Sequence, residues 1–76
     1  MTPSTKLFTE RLHHCLDETG APSSVRERAA ILSKLMDIPK HLSFSMLEGN
    51  QIPAVETIEK IANEFEVDAK WLCGEE

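Results

Sequence analysis

Apolar residues recur along this chain at spacings of three and four, and glycine or proline interrupts them at intervals. That is the signature of short amphipathic helices joined by tight turns. Phe8, Leu12, Cys15 and Leu16 fall on one face of a first helix predicted over residues 5–19, capped by Ser4 or Thr5 and stopped by Gly20. Ala21-Pro22-Ser23 is the connecting turn. Ser24 with Glu27 three residues later forms a capping-box pattern and starts a second helix over 24–36. Its stripe is Val25, Ala29, Leu32 and Met36, widened by Ile31 and Leu35. After a break at Asp37-Ile38, Pro39 fits the first turn of a third helix over 39–48, which ends at Gly49. Pro53 opens a fourth helix over 54–66 with Val55, Ile58, Ile61, Ala62 and Phe65 on one face and a mostly acidic opposite face. Asp68 caps a short fifth helix over 69–73, where Trp71 and Leu72 are expected to lie over the core. The chain therefore reads as one all-α domain spanning residues 1–76.

A long second helix followed, after a few residues, by a short third one is the outline of a helix-turn-helix. At about 100° per residue, the inward arc of the third helix holds Leu42, Ser43, Met46 and Leu47. Lys40, His41, Phe44, Ser45 and Glu48 face outward. A base-reading helix needs donors and acceptors for groove edges and apolar groups for thymine methyls. Lys40 suits guanine or a phosphate, His41 and Ser45 suit either, and Phe44 suits a methyl. An ordinary solvated face would hold the same polar residues, but it would not explain an outward aromatic, which calls for a partner surface.

Composition narrows the functional classes. A domain this small has little core to give up to a deep catalytic cavity, so a binding module is expected rather than an enzyme. Cys15 and Cys73 match no metal spacing and no disulfide framework, and read as buried or half-buried thiols in a reducing cytoplasm. His13, His14 and Cys15 are consecutive, so on a helix they point apart and do not converge on one ion; the two histidines are expected at the surface. Cys15 belongs to a core stripe, and no oxyanion-forming glycine motif accompanies it, so no catalytic residue is assigned. Neither a cofactor nor a metal is called for. The start Met-Thr-Pro-Ser-Thr lacks a basic stretch followed by an apolar run, and no segment has membrane-spanning length, so a cytoplasmic location is expected.

Charge is the main objection to a nucleic-acid partner. Eight Lys and Arg stand against thirteen Asp and Glu, a net charge of −5, where a DNA-binding domain is expected to be basic. The distribution is uneven. Up to Lys40, six basic residues face five acidic ones; beyond it, only Lys60 and Lys70 oppose eight acidic residues. Any nucleic acid must therefore approach the second and third helices.

The run from Arg28 to Leu72 resembles the Cro and phage-repressor class of helix-turn-helix domains, often called the Xre family. The resembling segments are Met46-Leu47-Glu48-Gly49, Asn50-Gln51-Ile52-Pro53, Val55 through Ala62, and Val67-Asp68-Ala69-Lys70-Trp71-Leu72. The resemblance implies a compact five-helix, lambda-repressor-like fold and a sequence-specific transcriptional regulator, acting as a repressor. Lys40, His41 and Ser45 would then read bases with Phe44 beside them, and Asn50 and Gln51 would occupy a phosphate-touching loop. Ser24 and its neighbours at the start of the second helix would sit over another phosphate. The sequence departs from the family at Ser43, where an aliphatic residue is usual, at Met46, where an aromatic is usual, and at Ala29, near a usual DNA-contacting Gln. Arg28 and Arg26 are the candidates to replace that Gln. The implied partners are a palindromic double-stranded operator and a second copy of the chain. From Trp71 onward, longer family members continue into a linker and a second domain, so the chain reads as a whole small regulator or the amino-terminal part of one. The rival reading keeps the fold without DNA binding: a protein-interaction module or antirepressor with Phe44 as the anchor.

Overall fold

The computed structural model describes residues 4–75, so Met1 to Pro3, the start of the segment read as lacking a leader, and Glu76 lie outside the described residues. Among the described residues five helices follow in order: α1 (Thr5–Glu18), α2 (Val25–Met36), α3 (Lys40–Leu47), α4 (Val55–Phe65) and α5 (Ala69–Leu72). Among the described residues there is no strand, and no helix is long and apolar enough to cross a membrane.

The helix starts follow side-chain chemistry where the sequence offers it. Ser4 Oγ accepts from the Leu7 amide at 3.2 Å, Ser24 Oγ from the Glu27 amide at 3.4 Å, and the Asp68 carboxylate from the Lys70 amide at 2.9 Å. Each satisfies one of the amides that a helix start leaves without an intrahelical partner. The starts of α3 and α4 carry no such bond, because Pro39 and Ala54 occupy their cap positions. Pro39 thus precedes the helix instead of lying in its first turn. Pro53 is buried one residue ahead of the α4 cap rather than opening the helix.

All five helices end the same way. A residue in the left-handed region (Gly20, Asp37, Gly49, Glu66 or Gly74) is followed by an amide that bonds back five residues, at 2.9 to 3.1 Å. This closure satisfies carbonyls that the helix end would otherwise leave open. Asp37 and Glu66 adopt that conformation, at φ 57°, with a side chain in place. Gly74 has a second constraint, since a Cβ there would lie 2.9 Å from that of Leu7.

One core cluster draws on every helix: Phe8, Leu12, Cys15 and Leu16 from α1; Ala29, Leu32 and Met36 from α2; Met46 and Leu47 from α3; Ile58, Ile61 and Ala62 from α4; and Leu72 from α5. Cys15 and Cys73 are free and buried, and burial pushes the Cys15 thiol pKa above its ordinary value. Three apolar residues assigned to core stripes are exposed instead: Ile31, Leu35 and, most of all, Val55 at 63%. Val25, Ala29, Leu32 and Met36 already fill the inward arc of α2, so Ile31 and Leu35 fall to its side and meet solvent, while Val55 lies in the first turn of α4.

Polar ties join the helices. Lys60 Nζ on α4 donates to the Met36 carbonyl at 2.9 Å, closing the end of α2, and Ser33 Oγ donates to the Ile38 carbonyl at 2.5 Å across the α2–α3 turn. Trp71 is half-buried, with the Arg11 guanidinium 5.1 Å from its ring centre and His14 meeting it edge to face. Arg11 also donates to the Trp71 carbonyl, which holds the α5 lid against α1.

Candidate nucleic-acid interface

Helix α3 is placed by what lies on either side of it. The three residues Asp37, Ile38 and Pro39 connect it to α2, the helix against which it packs most extensively. Its inner side buries Ser43, Met46 and Leu47, with Leu42 half-buried. The eight-residue helix therefore has a single free side.

That side carries the residues that a spacing of about 100° per residue turns outward. Lys40, His41, Phe44, Ser45, Glu48 and Asn50 line one open depression of about 360 Å³. Lys40, His41, Glu48 and Asn50 are exposed, Phe44 is 36% exposed, and Ser45 is partly covered. Ser45 Oγ donates to Gln51 Oε1 at 3.3 Å, which ties the loop after α3 back to the helix. Lys40, His41, Phe44, Ser45, Asn50 and Gln51 are thus brought together, one cation and one imidazole beside one carboxylate. Ser24 lies elsewhere, at the far end of α2 and about 18 Å along the helix axis from the turn into α3. It is exposed at the start of its helix, where backbone amides face outward.

Arg28 does not belong to this surface, contrary to the sequence expectation. It is 5% exposed and its guanidinium is fully engaged inside the fold. Nε donates to the Pro22 carbonyl at 2.5 Å, Nη1 to His13 Nδ1 at 2.8 Å, and Nη2 to the Asp17 carboxylate. The physical reason is helical spacing: Arg28 lies three residues after Val25 and four before Leu32, on the inward arc, so its side chain enters the α1–α2 junction. The hydrogen bond from Arg28, assisted by its charge, holds the Asp17 carboxyl pKa below its ordinary value. His13, read as a surface residue, is partly buried by the same network.

Three of the eight basic residues therefore serve the fold: Arg11 at Trp71, Arg28 at Asp17 and Lys60 at Met36. The exposed cations of α2 and α3 are Arg26, Lys34 and Lys40. Lys34 lies between the exposed Ile31 and Leu35, an apolar strip that the periodicity had assigned to the core. A separate, more enclosed groove of about 380 Å³ runs between α1 and the α4–α5 end, lined by His14, Cys15, Glu18, Thr19, Phe65, Val67 and Trp71. Among the described residues no cluster of three or more His, Cys, Asp or Glu is arranged to hold a metal ion.

Comparison with protein-family models, with curated proteins and with solved structures gives no significant match.

Proposed function

We propose that the chain is a sequence-specific DNA-binding transcription regulator of the helix-turn-helix kind, acting as a repressor in the cytoplasm and reading the major groove with α3. The observation that carries this reading is the free side of α3. A hydrogen-bonding and aromatic set, Lys40, His41, Phe44 and Ser45, projects from a short helix that a three-residue turn sets against α2. An α-helix fits the major groove, and these side chains offer the donors, acceptors and apolar contact that base edges require. Asn50 and Gln51 beside them, and Ser24 with the start of α2, supply phosphate contacts. The lambda-repressor-like arrangement and membership of the Xre class belong to this same proposal.

With only Arg26, Lys34 and Lys40 as exposed cations on these helices, each monomer neutralises about three phosphates. Affinity per monomer is then modest, and pairing of two copies on a palindromic site supplies the rest. The exposure of Phe44 and the apolar strip Ile31-Leu35 favours a second reading, a protein-binding module or antirepressor.

Selection of random duplexes at low salt, followed by titration of the selected site against salt, separates the two. The DNA reading expects enrichment of a two-fold site and a log–log salt slope of about −3 per bound monomer. No enrichment would overturn it. Light scattering on the complex tests pairing, and one copy per palindrome would sink that part.

A further inference from the structure

The two ends of α3 are held differently. At its start the chain itself provides the hold, through the tight turn from α2. At its end, α1 provides it through two side chains one helical turn apart. Thr9 Oγ1 donates to the Met46 carbonyl at 2.8 Å, and His13 Nε2 bonds the Leu47 carbonyl at 2.9 Å. The Met46 carbonyl also accepts from the Gly49 amide at 3.2 Å, whereas the Leu47 carbonyl is one that the end of a helix leaves open and His13 meets.

The bond from His13 fixes its tautomer. A carbonyl only accepts, so Nε2 carries the hydrogen, and a guanidinium only donates, so Nδ1 facing Arg28 has the lone pair. Arg28 Nη1 donates into that lone pair at 2.8 Å, and the same nitrogen reaches the His13 carbonyl at 3.4 Å. Asp17 and the Pro22 carbonyl hold the rest of the guanidinium. The imidazole is therefore oriented from behind by a buried Arg and aimed at the end of α3, as a metal-bound or catalytic His is oriented by its outer partner.

We propose that His13 and Thr9 are positioning residues that set the angle at which α3 presents the Lys40–Ser45 face, with Arg28 holding His13 in the tautomer this requires. The packing of α1 on α3 is thin beside that of α2, so these two bonds determine the tilt of α3 about its turn. The contribution to base reading rests on the DNA-binding proposal; the hold on α3 does not.

Glutamine places an amide nitrogen near the position of Nε2, whereas asparagine places its amide near Nδ1. His13→Gln thus retains the donor to Leu47, and His13→Asn loses it. The test is hydrogen exchange of the Glu48, Gly49 and Asn50 amides, which close the end of α3 by bonding back to the Phe44, Met46 and Ser45 carbonyls, compared with α4 amides. It is run on the intact chain where every variant is folded. His13→Asn and Thr9→Val should each speed exchange at the α3 end about tenfold, the loss of one hydrogen bond, with α4 unchanged. His13→Gln should stay within about threefold of the parent. Equal acceleration in α3 and α4, or asparagine matching glutamine, would overturn the proposal. In a parallel arm, His13→Asn should lower the ratio of selected-site to random-duplex affinity about tenfold, while His13→Gln preserves it. If the parent selects no duplex, the DNA reading fails while the exchange arm still decides the hold on α3.

Discussion

Helices α3 and α4 are both short and both lie with one side on the core, yet they are built to different standards. In α4 the two faces are segregated: Ile58, Ile61 and Ala62 are buried, while Glu56, Glu59, Asn63 and Glu64 are exposed, and only Val55 breaks the pattern. In α3 both faces break it. Phe44 points outward, and the fully buried Ser43 points inward with no partner for its hydroxyl among the described residues. A sequence selected only for folding would exchange those two residue types. Local rules that fail while the surrounding structure is consistent are expected where function intervenes. The difference also has a sign, since the outer side of α4 is acidic and would repel phosphate, whereas α3 offers Lys40 and His41.

The largest effect should come from breaking the well-made helix. Ile61→Ala removes a completely buried side chain from the centre of the cluster and should cost about 2 to 5 kcal/mol of stability in denaturant titration. Leu42→Ala on α3 should cost less, about 1 to 2 kcal/mol, because Leu42 is only half-buried. If the two costs were equal, α3 would be as well packed as α4 and the contrast between them would vanish.

Arg28 separates fold from surface among the cations. Arg28→Met should cost about 2 to 4 kcal/mol, because the Pro22 carbonyl and His13 Nδ1 lose their donor. It should leave the salt slope of DNA binding unchanged; a slope reduced by about 1 would return Arg28 to the interface. Its partner Asp17 gives the same tie a pH signature. A carboxyl whose folded pKa is depressed stabilises the fold above its unfolded pKa, and that contribution is lost as pH falls through the lower folded value. The stability gap between the parent and Asp17→Asn should therefore be full at about pH 7 and close below about pH 4. Because the Asp17 side chain is largely exposed, the gap is small and salt-sensitive.

On the α3 surface the effect moves from stability to binding. Lys40→Ala should leave the melting temperature in place, weaken binding to the selected site by about 1 to 3 kcal/mol if it reads a base, and lower the salt slope by about 1 if it holds a phosphate. Glu59→Ala on α4 should do neither. The opposite pattern would mean that α4, not α3, faces the partner.

These sites differ in how far the sequence alone exposes them. Helix limits were legible because Gly20, Gly49, Ser24 and Asp68 carry turn and cap chemistry in the residue itself. Asp37 and Glu66 end their helices in the same left-handed geometry; the break at Asp37, a residue type that tolerates it, was legible, whereas nothing in the residue type announces it at Glu66. The depression around Lys40, His41 and Phe44 was legible because helical periodicity orders the side chains of a single helix. Arg28 was misread although its spacing from Val25 and Leu32 placed it on the inward arc, because the resemblance puts a DNA-contacting Gln near Ala29 and Arg28 was taken to replace it. The link from His13 to Leu47 joins residues 34 positions apart, and no local pattern records such a contact.

The smallest effect is the sharpest test of how α3 is built. Ser43→Ala removes one oxygen from a site with no exposure, where Oγ has no hydrogen-bond partner. A buried hydroxyl without a partner keeps its desolvation cost and returns nothing, and alanine is the better helix former. The substitution should therefore be neutral or stabilise by up to about 1 kcal/mol in denaturant titration, without altering the salt slope, because residue 43 faces away from Lys40 and Phe44. A loss of about 1 kcal/mol or more would mean that the hydroxyl is satisfied, for instance by a buried water. The inner face of α3 would then be as consistent as that of α4, and only the outward Phe44 would still mark α3 as shaped for a partner.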